Sequence, residues 1–203
     1  MSRSYGQFCG LARALDVVGD RWNLLIVRQL LVAPARYREL LDGLPGVATN
    51  LLADRLRDLE TAGVIERRLT GEGNAVGYAL TPWGAGLREP IESLIRWSTP
   101  LMVRGPGEDD FRAEWLVLPL RALLAGRVTV SRSSTVVIAV DDRHFQVRAT
   151  SSGIEVGSHD GGDSDAVVRA DAATVLGLAA GVLTLDGVDV EGDEAAARAV
   201  FGA

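Results

Sequence analysis

Apolar and polar positions follow a helical period in the segment TNLLADRLRDLETAG, which begins at Thr49 and ends at Gly63. At about 100° per residue, Leu52, Leu56 and Leu59 share one stripe. The opposite face is polar and carries Asn50, Asp54, Arg57 and Thr61. Thr49 suits the N-cap position and Gly63 suits the C-terminal stop. The pattern predicts a helix with one buried and one exposed face.

A hairpin pattern follows this helix. A turn-rich stretch from Thr70 to Asn74, which contains Gly71 and Gly73, lies between two apolar runs. The runs are Val64, Ile65 and Leu69 before the turn, and Val76, Tyr78 and Leu80 after it. Such runs around a glycine-containing turn are typical of two antiparallel strands. A helix followed by a hairpin is the order of a winged helix, a unit that enters a DNA groove.

Further helices are predicted on both sides of this unit. Upstream helices are expected at Leu11 to Val18, Trp22 to Val32 and Tyr37 to Leu44. The second of these is apolar on one side, at Trp22, Leu25, Ile26 and Leu30, and Pro34 stops it. Downstream, Thr81 and Pro82 are the N-cap and first-turn proline of a longer helix. Its apolar stripe consists of Trp83, Leu87, Ile91, Leu94 and Ile95.

The stripe on this last helix has no evident partner in the first half of the chain. A leftover apolar face on a terminal helix is typical of a subunit interface. We therefore expect a homodimer formed through the N-terminal helix and the helices of residues 82–104. The alternative is that the stripe packs against the second half of the same chain.

Charge differs between the two halves of the chain. The net charge of −6 and the pI near 5.0 disfavour a polyanionic partner. Residues 1–104, however, hold 13 arginines against 11 acidic residues, whereas residues 105–203 hold 8 against 16. We therefore predict a DNA-binding and dimerisation domain at 1–104 and a different domain at 111–203. The stretch MVRGPGEDD interrupts the apolar pattern and predicts a linker at 105–110. Chance variation in surface charge is the alternative.

The second half mixes helices and strands. A helical opening from Phe111 to Leu124 precedes four predicted strands, at Val128–Val130, Val136–Val140, Phe145–Thr150 and Ile154–Gly157. Strands followed by further helices predict an α+β module. The predicted fold class is α+β, with an N-terminal winged helix-turn-helix domain followed by a small α+β domain.

Composition limits the chemistry. The 203 residues, 47% hydrophobic and 24% charged, suffice for one or two globular domains. The chain has no apolar run of about 18 residues, and its start lacks the pattern of a secretory signal. We expect a soluble cytoplasmic protein with no membrane partner. One cysteine and two histidines favour neither a disulfide nor a metal site. His144 and His159 lie outside any nucleophile elbow or phosphate loop, so no enzyme, catalytic residue or cofactor is expected.

The residues from Cys9 to Leu101 resemble the HxlR-type winged-helix transcriptional regulators, small dimeric bacterial relatives of the MarR group. The markers stand in register at Cys9, Asp16, Gly19, Trp22, Arg36 to Leu40, Leu52, Arg55, Leu56, Leu59, Glu60 and Tyr78 to Gly84. The resemblance implies a dimer that reads a double-stranded, pseudo-palindromic operator with half-sites about one helical turn apart. It places Thr49, Asn50, Ala53, Asp54 and Arg57 in or beside the major groove, and Arg36 and Arg38 near phosphates.

Side-chain chemistry separates these candidates. Arg57 can donate two hydrogen bonds to guanine, and Asn50 can pair with adenine. Asp54 accepts only from a donor such as the cytosine amine, and phosphates repel it unless it meets such a donor or orients Arg57. Arg55 lies on the flank of the packed face, so we interpret it as mainly structural, with a phosphate contact as the alternative.

The wing departs from the family pattern, in which a proline pair and an arginine commonly precede the second strand. This chain has Glu72-Gly73-Asn74-Ala75-Val76 there. Arg67 and Arg68 on the first strand are candidates to replace the missing DNA contact. The alternative is that both arginines only form the solvent-exposed face of a strand and do not contact DNA.

Cys9 is a redox-sensing candidate, because several regulators of this type sense oxidants or electrophiles through a thiol near the first helix. A helix N-terminus lowers the pKa of a thiol, and Arg13 one turn on is expected to add to this. Gly10 follows Cys9 where the family commonly has proline. The alternative is a small buried hydrophobic residue.

The stretch from Arg127 to Phe201 resembles the sterol-carrier-protein family. The matching elements are Asp165 to Asp171, Val175 to Gly181, Val188 to Asp193 and Ala195 to Phe201. That family builds an apolar tunnel, so the resemblance implies either a pocket for a hydrophobic small-molecule effector or a packing module whose pocket has been lost. The pattern identifies no ligand-binding residue.

Two functions remain. The first is a DNA-binding transcriptional regulator that responds to a hydrophobic small molecule. The second is a carrier or scavenger of hydrophobic molecules whose winged helix serves only dimerisation or protein contact. Asn50 and Arg57 on the exposed helix face favour the regulator.

Overall fold

The computed structural model describes residues 4–70, 75–102, 105, 107–127, 133–150 and 153–201. The chain forms two compact units, Met1–Ile91 and Glu92–Ala203. The turn is predicted at Thr70 to Asn74, and its residues 71–74 lie outside the described residues, as does the strand predicted at 128–130. Within the described ranges, no helix is both long and apolar enough to cross a bilayer.

Helices and one hairpin build the first unit. Its elements are α1 (Gly10–Val18), α2 (Asn23–Val32), α3 (Tyr37–Gly43), α4 (Thr49–Thr61), β1 (Ile65–Thr70), β2 (Ala75–Leu80) and α5 (Pro82–Ala85). The strands are antiparallel, with Ile65 opposite Leu80. Ala35 adds a bridge to Tyr78 on the free side of β2. The predicted order of helices followed by a wing is confirmed.

Leucine, isoleucine and valine side chains from α2, α3 and α4 form the core of this unit. Ile26, Val27, Leu40, Leu52, Leu56 and Leu59 are all buried. The predicted apolar side of α2 is wrong at Leu25, which is exposed. Apolar residues surround most of α2, so periodicity alone could not select its buried face.

Both ends of α4 are defined by the backbone. The N-cap is Ala48 in an extended conformation, so the prediction of Thr49 as N-cap is wrong by one residue. Thr49 is instead the first helical residue. At the other end, Gly63 has a φ of +75°, its N–H donates to the Glu60 carbonyl at 3.0 Å, and the Val64 N–H donates to Leu59 at 2.9 Å. These two bonds form a Schellman motif, which confirms Gly63 as the stop.

The long helix predicted after the wing is two helices. Thr81 caps α5 as expected, because its Oγ1 accepts from the Gly84 N–H at 3.0 Å. The Gly86 N–H donates to Trp83 and the Leu87 N–H to Gly84, which are tight i to i+3 bonds that end α5. A side chain at Gly84 would clash with the Val64 carbonyl. Helix α6 (Arg88–Met102) then begins separately.

A mixed sheet is the centre of the second unit. A 3₁₀ turn (Ala113–Leu116) and α7 (Val117–Leu124) precede β3 (Ser134–Val140), β4 (Arg143–Thr150), β5 (Gly153–Ser158), β6 (Ala166–Arg169), α8 (Ala172–Ala180), β7 (Asp189–Gly192) and α9 (Glu194–Phe201). The sheet order is β5-β4-β3-β6-β7, with only β3 and β6 parallel. Buried side chains from α7, α8 and α9 pack with those of the sheet. The α+β prediction is confirmed, but the opening helix starts later than Phe111.

The two units divide within α6, between Ile91 and Glu92. This division falls before the linker that was predicted at 105–110. Beyond Ile91, α6 is tied to α7, since Glu92 lies 3.0 Å from Arg121 and Arg96 donates to the Ala122 carbonyl at 3.3 Å. The glycine and proline content of a stretch gives no information about such contacts.

Candidate nucleic-acid interface

Helix α4 separates its apolar and polar residues as the sequence pattern predicts. Leu52, Leu56 and Leu59 are at most 1% exposed, whereas the polar residues Asn50, Asp54, Arg57 and Thr61 are exposed. Ala53 lies half-buried beside them and Thr49 is exposed at the helix start. We call Thr49, Asn50, Ala53, Asp54 and Arg57 the α4 face.

Arg57 and Asp54 form an ion pair on this face. The distance from Arg57 Nη1 to Asp54 Oδ1 is 2.9 Å, and both side chains are more than half exposed. An exposed pair of this kind contributes only about 0–1 kcal/mol. Arg57 therefore has a weakly held partner that it can exchange at low cost.

Arg55 performs a different task on the flank of the same helix. Its guanidinium contacts Asp20 in the turn before α2 and lies 3.0 Å from Asp58. Only 21% of the Arg55 side chain is exposed. These contacts attach α4 to the start of α2, in agreement with the structural interpretation of Arg55.

Helix α3 is joined to α4 by a contact that sequence reasoning missed. The Tyr37 hydroxyl donates to the Thr49 carbonyl at 2.7 Å. The Arg36 N–H donates to Glu39 at 2.6 Å and begins α3, while the side chains of Arg36 and Arg38 are exposed. This contact joins residues that are twelve positions apart, and its acceptor is a backbone oxygen, so no side-chain pattern predicts it.

The wing arginines are paired with acidic residues within the first unit. Arg67 lies 3.2 Å from Glu60 of α4 and 5.9 Å from the centre of the Tyr78 ring. Arg68 pairs with Glu66 on the same strand. Both arginine side chains are more than half exposed, and residues 72–74 at the predicted wing tip lie outside the described residues.

Cys9 occupies the N-cap of α1 and is exposed. Backbone N–H groups of Ala12 and, less strongly, Leu11 lower the pKa of its thiol. Arg13, which is expected from the sequence to lower this pKa further, lies 3.5 Å from Asp16. The alternative of a small buried hydrophobic residue is wrong, because Cys9 is exposed.

Exposed apolar side chains form a further feature of this part of the chain. In the N-terminal segment and α1 they are Tyr5, Phe8, Leu11 and Leu15, and in α5 and α6 they are Trp83, Leu94, Trp97, Leu101 and Met102. Phe8 is 104% exposed and Trp97 is 78% exposed. Side chains of this size are usually covered in a functional assembly.

Comparison with known proteins identifies the class. Residues 17–105 match the family described as HxlR-like helix-turn-helix. YodB and YvaP of Bacillus subtilis, both named HTH-type transcriptional regulators, are 33% and 34% identical over 86 and 88 residues, which span 77% and 82% of those proteins. Through its N-terminal part, the chain belongs to the HxlR-type helix-turn-helix transcriptional regulators.

A further relative is matched over a smaller share of its length, and one solved structure of YodB is matched over almost all of its length. The HTH-type transcriptional regulator sll1512 of Synechocystis is 39% identical over 80 residues, or 39% of this chain, and the match spans 59% of that relative. The reduced form of YodB has a TM-score of 0.42 with 30% identity, over 49% of this chain and 99% of that structure.

Proposed function

We propose that this DNA-binding regulator reads a pseudo-palindromic operator as a homodimer, with α4 of each copy in the major groove. The observation that carries the proposal is the division of α4 into a buried leucine stripe and an exposed α4 face. Arg57 and Asn50 are the base readers, because they present the donors that suit guanine and adenine. Thr49 and Ala53 lie beside the groove, and Asp54 orients Arg57.

Four further arginines hold the reading helix against the DNA backbone in this proposal. Arg36 and Arg38 lie at the start of α3 and are exposed. Arg67 and Arg68 lie on β1 and exchange their exposed carboxylate partners for phosphates. Because the proposed target is chromosomal DNA, the proposal also assigns the regulator to the bacterial cytoplasm.

A mobility-shift assay tests operator reading. The probe is DNA from upstream of this protein's own gene, and the competitor is random DNA of equal length and composition. We expect retardation of the upstream fragment at protein concentrations that leave random DNA free. The logarithm of the affinity should fall with the logarithm of salt concentration by about 0.9 per neutralised phosphate. Equal retardation of both DNAs, or no salt dependence, would contradict the proposal.

Dimerisation is supported by the exposed apolar side chains of α1 and α6. Phe8 just before α1, Leu11 in α1 and Trp97 in α6 are each exposed in the single chain, and contact with a two-fold related copy would bury such side chains. Sedimentation should give a dimer for the natural chain and a monomer for Trp97→Glu. Val182→Glu is the matched control, since Val182 is 64% exposed and lies outside the proposed interface. A dimer that survives Trp97→Glu unchanged would exclude α6 from the interface.

We further propose that the second unit is a sterol-carrier-protein-like module that binds a hydrophobic effector. Its five-stranded sheet and the helices packed on it support this proposal. Helix α6 begins in the first unit and ends in the second. A ligand that changes the position of α6 would have different affinities for the two arrangements of the dimer, which is the requirement for coupling.

Cys9 is proposed as a sensor of electrophiles. Its exposure and its lowered pKa favour the thiolate, the nucleophilic form. A quinone that alkylates the sulfur should release DNA from the natural chain and leave the DNA complex of Cys9→Ser intact. If quinone releases both proteins equally, Cys9 is not the sensor.

A further inference from the structure

A cavity of about 310 Å³ opens within the second unit, beside the end of α6 and the start of α8. Its volume is near the lower end of the range of about 300–1,000 Å³ that small-molecule sites occupy. The walls are largely apolar and aromatic, with Met102, Phe111, Trp115 and Leu176 among them. A cavity of this size and lining suits a compact organic molecule with an aromatic or branched apolar body.

Charge at the cavity has one sign. Asp109 and Asp110 line it and are exposed, and they are the charged side chains among the lining residues that the structure describes. The first turn of α8 also contributes to the wall, but its N–H groups do not favour an anion there. Asp171 accepts from the Thr174 N–H at 2.7 Å, so a carboxylate already occupies that helix end.

We propose that this cavity binds a lipophilic organic cation, with the apolar part against Met102 and Leu176 and the cationic group between the aromatic rings and the two carboxylates. Indole and phenyl faces attract cations, and Trp115 and Phe111 supply both types of ring. Asp109 and Asp110 supply opposite charge at the entrance. An uncharged ligand would use only the walls, and an anion would be repelled at the edge.

A cation site narrows the hydrophobic effector of the proposed function to one chemical class. A regulatory role for this site rests on that proposed function. The last turn of α6 supplies Leu101 and Met102 to the cavity wall. A bound cation would therefore contact the helix that is proposed to carry the dimer interface.

Calorimetric titration of the full-length protein without DNA tests the site. The probe is benzyltrimethylammonium, whose charge does not titrate, and the comparison molecule is neopentylbenzene, its neutral isostere. Benzenesulfonate serves as the anion. We expect the cation to bind about tenfold more tightly than the isostere, from the ring contacts and two partly screened charges together. Equal affinity for cation and isostere, or tighter binding of the anion, would overturn the proposal.

The carboxylates are tested by the double variant Asp109→Asn/Asp110→Asn. It should weaken binding of benzyltrimethylammonium about threefold, which is the carboxylates' share of the tenfold preference, and leave the isostere unchanged. Asp163→Asn, an exposed carboxylate of the same unit that does not line the cavity, is the matched control and should have no effect. Binding of the cation that is insensitive to the double variant would place it elsewhere.

The aromatic contact has its own readout. Trp115→Phe keeps an aromatic ring and should retain binding within about threefold, while Trp115→Leu should lose most of the preference for the cation. Circular dichroism verifies folding of both variants. The mobility-shift assay is run separately, so a failed titration with intact operator binding would reject only the cation site, and the reverse result would reject only the DNA proposal.

Discussion

The two units of this chain use charge in different ways. Around α4 and the wing, acidic residues are paired with arginines at the surface, as in Asp54 with Arg57 and Glu60 with Arg67. In residues 105–203, acidic residues outnumber arginines by 16 to 8, and Asp109 and Asp110 are the charged side chains among the described residues that line an apolar cavity. Exchangeable pairs suit a polyanionic partner, whereas an excess of acidic residues disfavours one. The negative net charge therefore says little about DNA binding by the first unit.

The largest expected effect is on the free energy of unfolding, after substitution of a buried leucine in the core of either unit. Leu56→Ala in the first unit and Leu120→Ala in the second each remove a side chain that is at most 1% exposed. Each should lower the free energy of unfolding by about 2–5 kcal/mol. Urea unfolding, followed by circular dichroism and by DNA binding, should show that Leu120→Ala leaves operator binding intact. Loss of operator binding in both variants at the same urea concentration would mean that the two units unfold together.

Arg57→Ala should weaken specific DNA binding by about 1–3 kcal/mol and relax the preference at one base position. The reason is that a neutral methyl group cannot replace the two donors on guanine. Competition binding with operator variants measures the change, and Arg143→Ala, an exposed arginine of the second unit, is the control. An equal loss on random DNA would show that Arg57 contacts only phosphate.

The two units each contain a helix cap, and only one of these caps should stabilise its unit in a pH-dependent way. Thr81→Ala in the first unit and Asp171→Ala in the second should each lower the free energy of unfolding by about 1 kcal/mol at pH 7. The Thr174 N–H that donates to Asp171 lowers the pKa of this carboxyl, so its stabilisation is present above the ordinary aspartate pKa and is lost as pH falls through the lowered value. The hydroxyl of Thr81 does not titrate.

Urea unfolding at neutral and acidic pH measures this difference. The loss caused by Asp171→Ala should shrink as the solution is acidified, and the loss caused by Thr81→Ala should stay constant. A constant loss for both variants would show that the charge of Asp171 contributes nothing to its cap.

The smallest effect is expected for Asp54→Asn. Its ion pair with Arg57 is exposed, so the free energy of unfolding should change by less than about 0.5 kcal/mol. Removal of a negative charge from the α4 face should strengthen binding to random DNA. Fluorescence anisotropy with a random duplex measures this, and Asp142→Asn in the second unit provides the control. Weaker binding would mean that the role of Asp54 in orienting Arg57 outweighs its repulsion of phosphates.

Local patterns predicted the elements that depend on neighbouring residues. The leucine stripe of α4, the stop at Gly63 and the cap at Thr81 each follow from residues within about one turn. Prediction was weaker where several solutions satisfy the same pattern. Leu25 is exposed although α2 is apolar on most sides, and the helix predicted after Pro82 is two helices, because i to i+3 bonds from Gly86 and Leu87 end α5.

Among the site residues, the sequence predicted which side chains are exposed, but it did not predict the contacts that hold their helices and strands in place. The contacts of Tyr37 with Thr49, Arg55 with Asp20 and Glu60 with Arg67 join different elements. Their partners could have been any of several polar residues in the chain. The proposed roles in DNA contact stay predictions until binding is measured.

By itself, the sequence determined which residues of α4 turn inward, the order of helices and wing, the α+β character of the second half and the family of the first. These follow from side-chain period and local backbone preference, which act over a few residues. Tertiary structure alone decided that Arg55 of α4 pairs with Asp20, that Tyr37 of α3 bonds Thr49, and that Met102, Trp115 and Leu176 line one cavity. Those arrangements depend on the packing of separate elements, and the spacing of residues along a chain does not predict which elements will come into contact.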